Sequence, residues 1–500
     1  MRASLRLTSF DIQIYQVADG ATEGLLYFMV VFGPWAFGTT QGWSIWTMNT
    51  CGYALGLLLG VKLSIRWLKG YQPPRWEAVR ANGSTQRRTP PASGVTRALA
   101  VLTGLVLLYC LVSASNAQAN YREDLRSFEY FPCVRWLPHS FDRTGTWCAF
   151  WMYLGLAAVF WAARDWLLGK SSAEVAPFGG GRKLAGASPF PVRVQRLLWM
   201  LALNGALIGL EGIVQRLVHS PRLLFVVQPR IHQSAESQFG PYAYRSNAAQ
   251  YFNLLWPVCI GYWWTLQRNV SRLGARYHLL LLCAGIMAAC PILSTSRAGA
   301  LVCVGIALAA VAMLATFHLV LSPAYAHWNR KPQRRLALVA VFLGVGLLSG
   351  FAVGWPALAP RLAELNDGFA GRELMYAAAR PIAQDYPWFG TGPGTFETVS
   401  LLYPRPEMFW PPQLHNDWLE TRITFGMIGT TLLGLVLVLI PARWFCGGCI
   451  HGGRRFVGLS WLALGGCLVH ARYDFPFQIY SVVFLFVLVC ALLFTLSRRP

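Results

Sequence analysis

Residues Gly390 to Gly429 read GTGPGTFETVSLLYPRPEMFWPPQLHNDWLETRITFGMIG, and this stretch decides how the chain is built. Gly390, Gly392, Pro393 and Gly394 form a turn-rich knot through which no helix can continue. Pro404, Pro406, Pro411 and Pro412 then keep the chain extended as far as His415-Asn416-Asp417. A helix can start there, with Asn416 or Asp417 as its cap. Leu419, Ile423 and Met427 follow at helical spacing, and the run merges into an apolar segment ending near Ile440. Polar side chains are thus delivered to the mouth of a membrane helix.

The chain on either side is scaffold of the same kind. Its 500 residues are 55% hydrophobic and 13% charged, and the charges are gathered between long apolar runs, as in an all-α polytopic membrane protein. The apolar runs fall at 22–40, 45–67, 97–116, 147–168, 195–216, 249–267, 277–294, 298–321, 336–357, 423–442, 456–473 and 478–497. That predicts about twelve transmembrane helices, each near the roughly 20 residues that cross a bilayer. Gly33, Pro34 and Gly38 interrupt the first. We divide the chain into supporting membrane helices, 1–216, and a catalytic membrane region, 217–500, whose large loop 358–422 lies between helices nine and ten. Met1 to Gly20 lacks the continuous apolar core and small-residue site of a cleavable signal.

A net charge of +22 invites a nucleic-acid reading, but its distribution points elsewhere. Alternate loops are basic: Lys69 to Arg88, Lys170 to Arg193, Arg268 to Arg276, Arg330 to Arg335, Arg443 to Arg455 and the Arg498-Arg499 tail. The loop 117–146 balances its charges, and 358–422 holds more acids than bases. By the positive-inside rule both termini are cytoplasmic and the loop 358–422 faces outward. Aromatic residues in 117–146 read as an interfacial belt or a sugar-stacking surface. Most of the twelve cysteines lie in apolar runs and serve as small fillers. Cys133 and Cys148 flank an outward segment where a disulfide is open, and Cys446 and Cys449, a lone C-x-x-C, read as structural.

Candidate functional residues begin after Arg216. Arg245, Asn247 and Gln250 stand at the start of the sixth span. An arginine there often snorkels to the interface, though less so on the outward side. In PILSTSRAGALV only Ser294-Thr295-Ser296-Arg297 separates two apolar runs, and Ala298-Gly299-Ala300 lets a helix or ligand approach closely. Arg297 opens the eighth span, where the helix dipole is already positive, so a shared anion such as phosphate explains the cation. Beyond the ninth span, Leu374, Ala377, Ala378 and Ile382 fall on one face of an amphipathic helix, with Arg372, Glu373 and Arg380 off it; the arginines can pair with local acids. His415 has no partner His, Cys or carboxylate pair at ligand spacing, which disfavours a metal. An imidazole can instead take a proton from a hydroxyl. On a helix His415, Leu419 and Arg422 share a face. The closing turn VHARYDFPFQIY offers His470, Arg472 and Asp474, either as a salt-bridged helix-helix turn or as support for a site.

STSRAG, GTGPGTF and HNDWLETRITFGMIG together resemble the signature elements of the O-antigen ligase and polymerase superfamily, over roughly 210–495. The resemblance implies a glycosyltransferase of C-type (GT-C) architecture in the bacterial inner membrane, with its site on the periplasmic face. It implies an undecaprenyl-diphosphate-linked glycan as donor, inversion, and neither metal nor cofactor. Carried onto this chain, Arg245 and Arg297 correspond to the diphosphate-binding arginines and His415 to the catalytic histidine, although PYAYRSNAAQ departs from the family's Gly-rich wording around Arg245. The substrate-binding residues we expect are Asn416, Asn247, Ser296, Gly392, Gly394, Arg372 and Arg422.

The simplest acceptor is lipid A-core, as in an O-antigen ligase. A polymerase joining repeat units, or an oligosaccharyltransferase acting on protein hydroxyls, uses the same residues. A transporter or flippase is the competing class, but neither inverted repeats nor midspan charge pairs are visible, and Glu211 is the one doubtful intramembrane acid.

Overall fold

The computed structural model describes residues 6–76, 79–80, 87–88, 93–171, 174, 190–231, 233–267, 275–319, 331–404, 412–447 and 453–496. Pro406, Pro411, Cys449 and much of the basic loops lie outside the described residues. Each apolar run is helical over most of its described residues. The helices are α1 (Ser9–Trp35), α2 (Gly42–Leu68), α3 (Gly94–Ser115), α4 (Arg143–Leu168), α5 (Val192–Leu217), α6 (Arg245–Leu266) and α7 (Leu279–Leu293). They continue as α8 (Arg297–Leu319), α9 (Lys331–Ala363), α10 (Leu365–Asp385), the single turn α11 (Phe396–Val399), α12 (Asp417–Gly447), α13 (Arg454–His470) and α14 (Tyr480–Leu496). The strands of the described residues form two short antiparallel pairs, β1 (Val79–Arg80) with β2 (Arg87–Arg88) and β3 (Ala119–Arg122) with β4 (Ser127–Tyr130), and short 3-10 turns such as Phe37–Thr39 and Pro476–Gln478 link some of the helices.

Seven of these helices (α2, α3, α4, α5, α8, α9 and α12) are long and apolar enough to cross a membrane, and α7 and α14 are apolar but shorter. The outside of the bundle is apolar too: Leu57 is 74% exposed, Leu308 68% and Leu348 70%, a surface suited to lipid rather than water. The centre is α6. All its residues from Ser246 to Leu266 are buried, against α7, α13, α8 and α14. Its Asn247, Gln250 and Asn253 therefore meet protein rather than hydrocarbon, which is where polar groups are tolerated in a membrane helix.

Helix α1 begins at Ser9, well before residue 22. Thr8 and Asp11 close a capping box around its first turn, and Asp19, inside the helix, finds cationic partners. Lys62 of α2 is fully buried between Asp19 and Asp165, at 3.1 Å from each, and Arg66, Arg75 and Arg193 join the same two carboxylates. Removing one partner of such a buried set leaves a stranded charge, so the set fixes how α1, α2, α4 and α5 align. Cys133 and Cys148 are both free thiols.

The stretch 358–422, expected as one outward loop, is largely helical: α9 runs to Ala363 and α10 follows almost at once. The buried face of α10 differs from the expected one. Met375, Tyr376, Ala379 and Ile382 are inside, whereas Leu374 and Ala377 are exposed. Tyr376 draws the helix round, because its hydroxyl donates to the His415 carbonyl at 2.8 Å.

Helix α12 is broken where it enters the bundle. Gly426 has φ 60 and ψ −167, outside the helical range, so the ladder stops and restarts there. Inside a membrane the freed backbone groups need partners. The knot supplies them: Thr391 N–H donates to Ile423 O at 2.9 Å and Gly392 N–H to Thr424 O at 3.0 Å, while Met427 and Ile428 donate to Pro387 and Trp388 O at 2.9 and 3.1 Å. The Tyr109 hydroxyl bridges Phe389 O and Phe425 O. The knot and the broken helix are thus one unit, and it sets where His415 stands.

Candidate active site

Two helices begin side by side at one end of the bundle, here the site end: α6 at Arg245 and α8 at Arg297. Ser296 caps α8, its Oγ accepting from Gly299 N at 3.1 Å. The helices touch where the small residues fall. A Cβ on Gly299 would lie 2.3 Å from that of Ala249, and Asn253 Nδ2 donates to Gly299 O at 3.0 Å. Ser296 Oγ also donates to Ser246 Oγ at 3.2 Å. Arg245 and Arg297 are therefore brought to the same end by close helix packing.

The cation at the start of α8 has a local explanation as well. Arg297 Nη1 donates to Arg361 O at 3.3 Å and Glu364 O at 2.9 Å, at the carbonyl-rich end of α9, where the helix dipole is negative. Gly368 makes room, since a Cβ there would stand 2.5 Å from Arg297 Nη1. Gly368→Ala should push the guanidinium aside and weaken the binding of an anion such as pyrophosphate about tenfold, while the melting temperature holds because alanine suits a helix better by about 1 kcal/mol. Anion affinity equal to that of wild type would remove Gly368 from the site.

A cavity of about 550 Å³ opens beside these arginines. Its polar end is lined by Arg245, Arg297, Arg361 and Arg372 together with Tyr244, Ser246, Ser296 and Asp474. From there it runs between α8, at Leu301, Gly305 and Ile306, and α13, at Leu462, Gly466 and Val469. Four guanidiniums at the head of an apolar groove make a receptor for an anion that carries a long tail.

His415 adjoins this head. Its φ of +56 is unusual for a residue with a side chain, and it stands one residue before the α12 cap, Asn416, whose Oδ1 accepts from Leu419 N at 3.2 Å. It thus lies outside the helix, and the shared face with Leu419 and Arg422 does not form. The ring packs on Phe475 at 4.8 Å, and Nδ1 lies 3.0 Å from Asp474 Oδ1. With Nδ1–H donated to the carboxylate, Nε2 is the nitrogen left to take a proton.

Asp474 is 2% exposed and heavily bonded. Besides His415 it accepts from the Ser246 hydroxyl, from Phe475 N at 3.1 Å and from the Tyr244 hydroxyl at 3.5 Å, and Arg372 Nη2 stands 4.0 Å away. Burial pushes its pKa up, but the hydrogen bond and charge of His415, then Arg372 and His470, outweigh burial and hold it well below the usual carboxylate range. A depressed folded pKa contributes stability above the unfolded value of about 3.9, lost only as pH falls through the folded one. Asp474 is accordingly ionised near neutral pH. Behind it, His470 lies 3.0 Å from Ser246 Oγ and 2.6 Å from Gln250 Oε1, so the closing turn supports the cluster.

The remaining candidates divide by place. Ser296 and Arg372 line the cavity; Arg372 pairs with Asp474 and Tyr473 O rather than with an acid of its own helix, whereas Arg380 does pair locally with Glu373. Asn416, Asn247, Arg422, Gly392 and Gly394 are outside its lining. Asn247 is buried in α6, and Arg422 donates to Pro387 O at 2.8 Å. Gly392 and Gly394, at φ +107 and +76, lie against Ser140 and Gly145. The sequence did not single out Arg361, and it left Asp474 open between a salt-bridged turn and support for a site. Arg361 carried the signal that singled out Arg245, an arginine at the end of an apolar run.

Residues 281–434 match a family model described as O-antigen ligase. The match runs from α7 into the second half of α12 and takes in Arg297, Arg361, Arg372, His415 and the glycine knot. Arg245, Ser246, His470 and Asp474 reach the same site from outside it. No curated protein matches the chain. The O-antigen ligase match and the polytopic helical bundle support a membrane enzyme of this general family that handles glycans.

Proposed function

We propose that the protein transfers a glycan from undecaprenyl diphosphate to an acceptor hydroxyl on the periplasmic face of the bacterial inner membrane, with lipid A-core as the simplest acceptor. The observation that carries this reading is the four-arginine head of the apolar cavity, set beside the His415–Asp474 pair. The diphosphate binds at Arg245, Arg297, Arg361 and Arg372, and the polyprenyl tail lies between α8 and α13, open to the bilayer. The acceptor hydroxyl loses its proton to His415 Nε2 as its oxygen attacks the anomeric carbon from the side opposite the diphosphate. The bond from that carbon to the phosphate oxygen breaks with inversion, and its electron pair leaves with the diphosphate. The guanidiniums stabilise the charge that develops there, needing no metal. Asp474 keeps the imidazole in the tautomer this requires and balances the imidazolium that forms. In this reading the site end faces outward and both termini lie in the cytoplasm, as the basic loops indicate.

The test is transfer by purified, reconstituted protein from a polyprenyl-diphosphate glycan to lipid A-core, with a chelator present. Wild type should transfer, and Arg297→Gln should lower the rate about 10²-fold, the usual scale for losing one preorganised charge-stabilising donor. Longer glycans on the donor lipid instead would make the protein a polymerase, and transfer to a peptide hydroxyl a protein oligosaccharyltransferase. Indifference to Arg297→Gln, or loss of transfer on chelation, would sink the metal-free arginine mechanism.

A further inference from the structure

Two aromatic rings with no part in the transfer chemistry line the arginine-headed cavity. Phe369 of α10 and Tyr473 of the turn after α13 meet there with centroids 5.6 Å apart and planes at 70°, and so form an aromatic corner. Their neighbours in the chain place it. Phe369 follows Gly368, which makes room for Arg297, and Tyr473 precedes Asp474, the carboxylate that holds His415. Arg372, a turn beyond Phe369, ties the two sides together by donating to Tyr473 O. The corner is thus joined on one side to the guanidiniums and on the other to the support of the imidazole.

The two rings still have surface to offer. Phe369 is 39% exposed and Tyr473 36%, although Arg472 covers one face of Tyr473 at 5.7 Å and steadies it. By contrast Tyr244 and Phe475, the aromatic pair beside His415, stack on each other at 5.4 Å and 9°, and Phe475 is buried. A pyranose face without axial hydroxyls presents weakly positive C–H groups, which settle on the negative face of an aromatic ring. In glycosyl transfer the first sugar stands one oxygen away from the diphosphate, and its anomeric carbon must come within reach of the acceptor hydroxyl at His415. The aromatic surface joined to both is this corner. We propose that Phe369 and Tyr473 form a subsite for the first sugar of the donor, which they hold by a C–H face, so that the site reads the sugar as well as the diphosphate. The inference rests on the glycosyl-transfer reading and deepens it. Aromatic rings at an outward end also settle at the membrane–water interface, but these two open into the cavity that carries the arginines.

Binding separates sugar from diphosphate without turnover. Wild type in phospholipid nanodiscs would be titrated with polyprenyl diphosphate and, separately, with polyprenyl diphosphate carrying N-acetylglucosamine, whose substituents beyond the anomeric carbon are equatorial and leave C–H groups on both faces. The sugar-bearing lipid should bind about tenfold more tightly. Tyr473→Leu and Phe369→Leu, which keep apolar bulk and lose the aromatic face, should each reduce that preference about fivefold, the scale of one aromatic contact, and leave affinity for the sugarless lipid unchanged. Tyr473→Phe keeps the ring and should keep the preference. Equal weakening of both lipids in the leucine variants would make the rings structural, and a preference untouched by either would make them interfacial. Loss of preference in Tyr473→Phe would move recognition from the ring to its hydroxyl. Each of these results would overturn the proposal. Equal binding of the two lipids by wild type would overturn the subsite and leave the diphosphate receptor standing, whereas wild type that binds neither lipid would overturn the transfer reading on which the subsite rests.

Discussion

His415→Asn should lower glycan transfer about 10²- to 10⁴-fold, the usual range for a positioned general base, with polyprenyl diphosphate still bound. Asparagine is the informative substitution because His415 holds φ +56, a conformation that costs most side chains about 1 to 2 kcal/mol and that asparagine adopts more readily. His415→Ala would mix that backbone strain with loss of the imidazole. An asparagine at 415 can still hydrogen-bond Asp474, so the corner made by Phe475, Asp474 and the start of α12 should survive. What it lacks is a basic nitrogen on the far side of the ring. Single-turnover transfer at saturating donor, alongside retention of labelled polyprenyl diphosphate, separates chemistry from binding. Transfer within about threefold of wild type would rule out His415 as the proton acceptor.

Gly426→Ala should cost most of the folded yield. At φ 60 and ψ −167 the backbone occupies a region essentially reserved for glycine, and strain of this kind costs about 1 to 3 kcal/mol. The added Cβ would also stand 2.3 Å from Trp388 O and 2.4 Å from Gly390 N, both backbone atoms that cannot swing aside. Overpacking adds about another 1 to 3 kcal/mol, a large share of the roughly 5 to 15 kcal/mol that holds a typical fold together. The damage should reach the site, because Thr391, Gly392, Pro387 and Trp388 all bond across the break that sets the start of α12. Gly344→Ala is the matched control, a helical glycine whose Cβ meets nothing within 4 Å. Thermal unfolding in detergent should separate the two variants widely. A Gly426→Ala melting temperature within about 2 °C of wild type would show that the break does not depend on glycine.

Helix existence was legible because lipid leaves the backbone no other partner: an apolar run of sufficient length must satisfy its own N–H and C=O groups. The Asn416 cap and the close approach at Gly299 were legible for a similar reason, since each depends on atoms within a turn or on the size of one side chain. Arg245, Arg297 and His415 were singled out one at a time, as polar residues placed where apolar ones were expected. The early start of α1 was missed because Asp19 looks costly until Lys62 and Arg193 are beside it.

Sequence by itself determined the helices, the polarity of their ends and the residue types available for chemistry. Tertiary structure alone decided which of those residues meet. Nothing local in the chain joins His415 to Asp474, Arg372 to the same carboxylate, or Arg361 to the cavity with Arg245 and Arg297. The break at Gly426 is likewise invisible in a helical pattern, since it exists only because the glycine knot, distant along the chain, bonds the groups it frees. Periodicity and capping act within about a turn of helix, whereas the site is assembled by packing between helices whose order in space the one-dimensional pattern does not encode.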